Sequence, residues 1–266
     1  MRANDLINSV ESRGATIRYF VSGVPDGPPL MLAHSLGASS ALWAPQLPAL
    51  EQRFRVIRYD ARGHGESSVP DGEYSLAELG RDALAVLDAT GANRASLCGI
   101  SMGGQLAMWL AIHAPVRVDR IVLANTAARI GTPQGWTERI ELVRAQGLRP
   151  VAEGVRGRWL TPPYADAHPA VVEMLVARLM STAPAGYIGC CAALRDADLT
   201  GELARITARA LVIAGECDPA TTTADAQFIC DRLRDARMTR VATAHLSNIE
   251  DAAGFTRELL TFLKEE

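Results

Sequence analysis

Apolar residues recur along this chain in two rhythms that predict most of its elements. Leu30-Met31-Leu32-Ala33 is an unbroken apolar run, as a parallel strand buried on both faces requires. Phe54–Tyr59, Ala95–Cys98, Ile121–Ala124, Ala210–Ala214 and Met238–Ala242 read as further strands, and Thr16–Val21 alternates polar with apolar and predicts a strand at a sheet edge. Between them lie helical spacings. Trp43–Leu50 predicts a short helix, Gln105–Ala114 a longer one and Gly254–Lys264 an amphipathic one. Leu76–Thr90 places Leu76, Leu79, Ala83, Leu84, Val86 and Leu87 on a helical stripe that stops at Gly91. Such alternation predicts an α/β fold, a mostly parallel sheet flanked by helices, with chemistry at the carboxyl ends of strands.

From about Thr126 to Thr200 the strands stop. Helical stretches at 136–144, 148–159, 170–180 and 187–195 are punctuated by Pro133, Pro150, Pro162-Pro163, Pro169 and Pro184. The expected organisation is a core of residues 1–125 and 201–266 with an inserted helical cap at 126–200.

Composition changes this picture little and excludes several functions. At 266 residues, 48% hydrophobic and 21% charged, the chain has the make-up of an ordinary globular protein. A net charge of −3 gives no electrostatic footprint for nucleic acid or an anionic membrane, so neither is expected as a partner. No apolar run approaches the ~20 residues that span a bilayer, and Met1–Gly14 is polar, without a basic-then-apolar leader. The five cysteines, Cys98, Cys190, Cys191, Cys217 and Cys230, form neither an even disulfide framework nor a C-x-x-C metal pair. A cytoplasmic setting is expected, with no metal and no organic cofactor. Oligomeric state has no signature.

The chemistry centres on Cys98-Gly99-Ile100-Ser101-Met102-Gly103-Gly104, a small-residue turn between strand and helix with a serine at its apex. This is the G-x-S-x-G nucleophile elbow: the tight turn exposes the serine and leaves no room for side chains two positions either side. A serine hydroxyl needs a base, and the base needs a carboxylate. Of five histidines, His245 follows the last strand at the functional edge and is the best base. His34 reads as a loop brace, His64 as structural in a Gly-flanked turn, His113 sits near a helix end and His168 precedes Pro169 in the cap. Asp218 leaves the strand Leu211–Ala214, with Pro219 expected to start the next helix; Glu216, Asp196 and Asp198 are its competitors. Ser101, Asp218 and His245 then stand in the order Ser, Asp, His of the α/β-hydrolase fold. The oxyanion hole is expected from the backbone N–H groups of Met102 and of Leu36, the latter in the loop His34-Ser35-Leu36-Gly37.

The phrases YDARGHGES and CGISMGG are shared by many α/β-hydrolases. CCAALRDADL and AHLSNIE are more particular, and with HSLG followed by Trp43, GTPQGW and AGECDPATT nearly the whole chain resembles the 3-oxoadipate enol-lactonases of aromatic-compound breakdown. The resemblance implies a small anionic lactone as substrate, a Ser101 acyl-enzyme and no cofactor. A free carboxylate on the substrate calls for a cation or several hydrogen-bond donors. Trp136 and Arg139, at i and i+3 on one cap helix, are the candidate wall and carboxylate partner, with Arg129 and Arg195 as rivals. A general esterase or carbon–carbon bond hydrolase would use the same triad, and a ligand-binding receptor of this fold would retain it only as a vestige.

Overall fold

The computed structural model describes residues 7–264; the first six residues of the polar N-terminus read above lie outside them. Eight strands form one sheet: β1 Ile7–Ser12, β2 Ala15–Gly23, β3 Pro29–Ala33, β4 Arg55–Tyr59, β5 Ala95–Ile100, β6 Val118–Ala124, β7 Arg209–Gly215 and β8 Ala236–Val241. Their order is β1-β2-β4-β3-β5-β6-β7-β8; β2 runs antiparallel to both its neighbours, β1 and β4, and the other pairs are parallel. The central strands follow the unbroken apolar rule: every residue of β5 is buried, as are all but the first of β3 and β7.

The edge differs from the expectation. β2 is not the border of the sheet; β1 covers it, joined through Arg13-Gly14, where both residues have positive φ (45° and 76°). Two left-handed residues make the tight turn whose twist suits a two-residue hairpin, and Ser12 pairs directly with Ala15 across it. Trp43–Leu50 is likewise not one helix but a 3₁₀ turn, Ser40–Trp43, and a single α-turn, Leu47–Leu50.

Between β6 and β7 the chain carries helices at Pro133–Gln146, Arg149–Glu153, Val155–Arg158, Pro162–Ala167, Pro169–Met180 and Pro184–Asp196. The prolines that punctuate the sequence here begin these helices rather than interrupt them, because a first-turn residue has no intrahelical N–H bond to lose. The stretch 148–159 is broken: Arg156 (ψ 128°) and Gly157 (φ 84°) leave helical geometry. Helices Pro133–Gln146 and Pro184–Asp196 pack on each other over the carboxyl ends of the strands, where Arg139 approaches Tyr187. Among the described residues, no helix is long and apolar enough to cross a membrane.

Candidate active site

Ser101 sits between β5 and the helix Met102–His113, with φ 58° and ψ −119°. That backbone is strained for a side-chain-bearing residue and persists only where its surroundings fix it. Here its N–H donates to Ala124 O (3.0 Å), and its carbonyl accepts from Thr126 Oγ1 (2.7 Å). The flanking glycines are steric necessities. A Cβ on Gly99 would run into the Gly103 carbonyl, and one on Gly103 into the carbonyl of Ala33 at the end of β3.

Asp218 leaves β7 as expected, but Pro219 does not open the following helix. That helix begins at Thr223, capped by Thr222, and Asp218 instead holds a turn, its Oδ1 accepting from the N–H groups of Ala220 (2.8 Å) and Thr221 (3.1 Å). Oδ2 accepts from His245 Nδ1 (2.8 Å), Thr221 Oγ1 (2.7 Å) and Asn125 Nδ2 (3.1 Å). Burial pushes the Asp218 carboxyl up, but the His245 contact, with Thr221 and Ala220, outweighs it and holds the group below the usual aspartate value. The competing acids stay away: Glu216 is exposed, Asp196 pairs with Arg195 and Asp198 with Arg129.

His245 donates through Nδ1, so Nε2 is the nitrogen left for substrate chemistry. Its loop is tied on both sides. Ala244 N–H donates to Glu250 Oε2 (3.0 Å), which also accepts from Thr161 N–H (3.1 Å), and Leu246 N–H donates to the Trp159 carbonyl (2.9 Å). Ser101 and His245 line one cavity of about 400 Å³. No hydrogen bond joins Ser101 Oγ to His245 among the described residues; such contacts are often loose without substrate.

Leu36 lines the same cavity and Met102 begins the helix after Ser101. Neither backbone N–H donates to a protein acceptor among the described residues. The Leu36 loop is braced by two buried histidines. His64 Nε2 accepts from Gly37 N–H (2.9 Å) and His34 Nε2 from Ala61 N–H (3.0 Å). Both imidazoles therefore carry their proton on Nδ1, against the Arg62 and Ser35 carbonyls. Burial, together with the neighbouring His34, drops His64 to about 3, and burial lowers His34 too. His113 stacks on Trp109 and His168 on Tyr164, away from the cavity.

Trp136 and Arg139 both line the cavity, where Trp136 Nε1 donates to Ile130 O (2.6 Å) and Arg139 Nη1 to Tyr187 Oη (3.4 Å). The rival cations do not reach it: Arg129 pairs with Asp198, and Arg195 with Glu73 and Asp196. Sequence reasoning missed three residues. Arg158 and Tyr187 line the cavity, and Asn125, with φ 43°, bridges Asp218 Oδ2 and Ala244 O (3.1 Å each) while accepting from Ser247 Oγ (2.5 Å). The available signal for Arg158 was Gly157, a glycine inside the 148–159 helical stretch, where the backbone does leave helical geometry.

Residues 28–147 match the family model described as the alpha/beta hydrolase fold. The chain is 40% identical over 257 residues to 3-oxoadipate enol-lactonase 2 of Acinetobacter baylyi, covering 97% of this chain and 96% of that one. Among solved structures, the enol-lactonase from Burkholderia xenovorans LB400 superposes with a TM-score of 0.95 at 38% identity, over 97% of this chain and 100% of the other. A hydrolase from Pseudomonas aeruginosa PA01 does so with a TM-score of 0.94 at 42% identity, over the whole of both chains.

Proposed function

The chain belongs to the 3-oxoadipate enol-lactonase family of α/β-hydrolases, and from that premise we propose that it hydrolyses 3-oxoadipate enol-lactone to 3-oxoadipate through a Ser101 acyl-enzyme. One observation carries the assignment of roles: a strained serine and an aspartate-bound histidine share a cavity whose cap wall holds arginines. His245 Nε2 takes the Ser101 proton as Oγ attacks the lactone carbonyl, and Asp218 stabilises the imidazolium that forms. The N–H groups of Leu36 and Met102 receive the oxyanion.

Collapse breaks the ring C–O bond, and His245 returns its proton to the enol oxygen. The enol stays tethered to the acyl chain, so ring reclosure competes until the enol tautomerises to a ketone or the acyl-enzyme is hydrolysed. Water, activated by His245, then attacks the acyl carbon, and Ser101 leaves with the proton. Trp136 walls the pocket and Arg139 receives the substrate carboxylate, a pairing suited to a planar guanidinium. The helical segment 126–200 serves as the cap of a core made of 1–125 and 201–266, and the chain acts in the cytoplasm on a small anionic lactone.

The test is a comparison of kcat/KM for the lactone and for an uncharged aryl ester. The reading expects the lactone to be preferred by at least tenfold; preference for the neutral ester makes the protein a general esterase instead.

A further inference from the structure

Most cap and neighbouring arginines described above are neutralised by carboxylates: Arg129 by Asp198, Arg195 by Glu73 and Asp196, and buried Arg62 by Asp82 and Glu78. Two are not. Arg139 makes one long contact to a neutral phenol, and half-buried Arg158 donates to no protein acceptor among the described residues. Both line the cavity that contains Ser101 and His245, and among the described residues no Asp or Glu lines it with them. Two guanidinium groups without a counter-ion on one wall are an unfavourable arrangement that an anion relieves.

We propose that Arg158 is the second cation of a carboxylate seat, built with Arg139 and the Tyr187 hydroxyl, that selects acyl substrates bearing a free carboxylate. The identity of the lactone rests on the function proposed above; the seat itself rests on the two unneutralised guanidinium groups. A carboxylate has two oxygens and about four lone-pair directions, enough to take one guanidinium on each oxygen and a hydroxyl besides. Tyr187 is buried and already accepts from Arg139, which leaves its own O–H free to donate. Burial pushes that phenol up to about 12, so it keeps its proton throughout the working range. Burial first, and then the charge of Arg139, lower the Arg158 guanidinium, with Tyr187 opposing the shift.

The backbone around Arg158 fits this placement. The chain leaves helical geometry at Arg156 and Gly157, and the guanidinium lies over Gly154, where a Cβ would come within 3.2 Å of Nη2. The next residue, Trp159, gives its carbonyl to Leu246 N–H beside His245. The seat is therefore fastened to the loop that carries the base.

The experiment measures kcat and KM of Arg158→Gln and Arg158→Lys on 3-oxoadipate enol-lactone and on uncharged phenyl acetate. Adipate serves as a stable dicarboxylate inhibitor of phenyl acetate hydrolysis. Arg158→Gln is expected to raise the lactone KM at least tenfold with kcat changed less than threefold. The adipate Ki rises at least tenfold, the phenyl acetate kcat/KM falls no more than threefold, and lysine recovers part of the loss. An unchanged lactone KM and adipate Ki overturn the proposal. So do equal losses on charged and neutral substrates, or a wild type that adipate does not inhibit. If the wild type hydrolyses phenyl acetate but not the lactone, the proposed function falls, and the adipate Ki alone decides the seat.

Discussion

His245 Nδ1 donates to Asp218 Oδ2 across 2.8 Å, between loops 27 residues apart in sequence, with both side chains almost fully buried. Asp218 is held there by four further donors, two on each oxygen. Asp218→Asn keeps a carbonyl oxygen for the Ala220 and Thr221 N–H groups. It presents an amide N–H₂ to three donors, however, and forces the imidazole out of its tautomer. Lactone kcat/KM is expected to fall by roughly a thousandfold or more with the fold retained; steady-state kinetics beside circular dichroism check both halves.

Asn125 reaches the same carboxylate from the end of β6 and also holds the Ala244 carbonyl next to His245. Asn125→Ala should lower kcat about five- to tenfold with KM little changed. Asn125→Asp puts a second carboxylate beside Asp218, which stabilises the imidazolium and moves the acid limb of the kcat/KM profile to higher pH. A pH–rate profile of the two variants separates this electrostatic effect from a packing defect.

The elbow glycines make a steric prediction. Gly103→Ala drives a methyl group into the Ala33 backbone, which has no flexible end to yield. Destabilisation of about 2 kcal/mol or more is expected, as for overpacking against rigid backbone. Thermal unfolding of the variant, with its residual turnover, measures it.

The loops that hold Ser101, Asp218 and His245 were legible because each follows a strand, and strands announce themselves by unbroken apolar runs. The role of the cap prolines and the edge strand β1 were not. Proline marks a boundary but not which side the helix lies on, and Ile7–Ser12 is a polar strand whose tight turn at Arg13-Gly14 carries a weak signature. Asn125 and Arg158 were hidden for a different reason. What marks them out is a spatial neighbour, Asp218 bonded to Asn125 and Arg139 lining the same cavity as Arg158, and spacing along the chain does not report that.

Acid sensitivity should arise from the histidine brace. In the folded state His64 titrates near 3, against its ordinary value near 6.5, so between these values the unfolded chain binds the extra proton. Stability from this group is complete above about pH 6.5 and is lost as pH falls toward 3. Asp218, held low, adds to the loss only below the ordinary carboxylate range, near pH 4. His64→Gln, whose side-chain oxygen accepts the Gly37 N–H without titrating, should flatten the decline of Tm between pH 7 and 5.

The central claim is that Ser101 opens an enol-lactone, and the most direct measurement follows loss of the conjugated enol ester by ultraviolet absorbance with purified wild type and Ser101→Ala. The account predicts rapid first-order decay with the wild type and, with Ser101→Ala, a rate at least a thousandfold lower while adipate still binds. A wild type that leaves the lactone absorbance untouched, or an alanine variant that consumes it at a comparable rate, contradicts it.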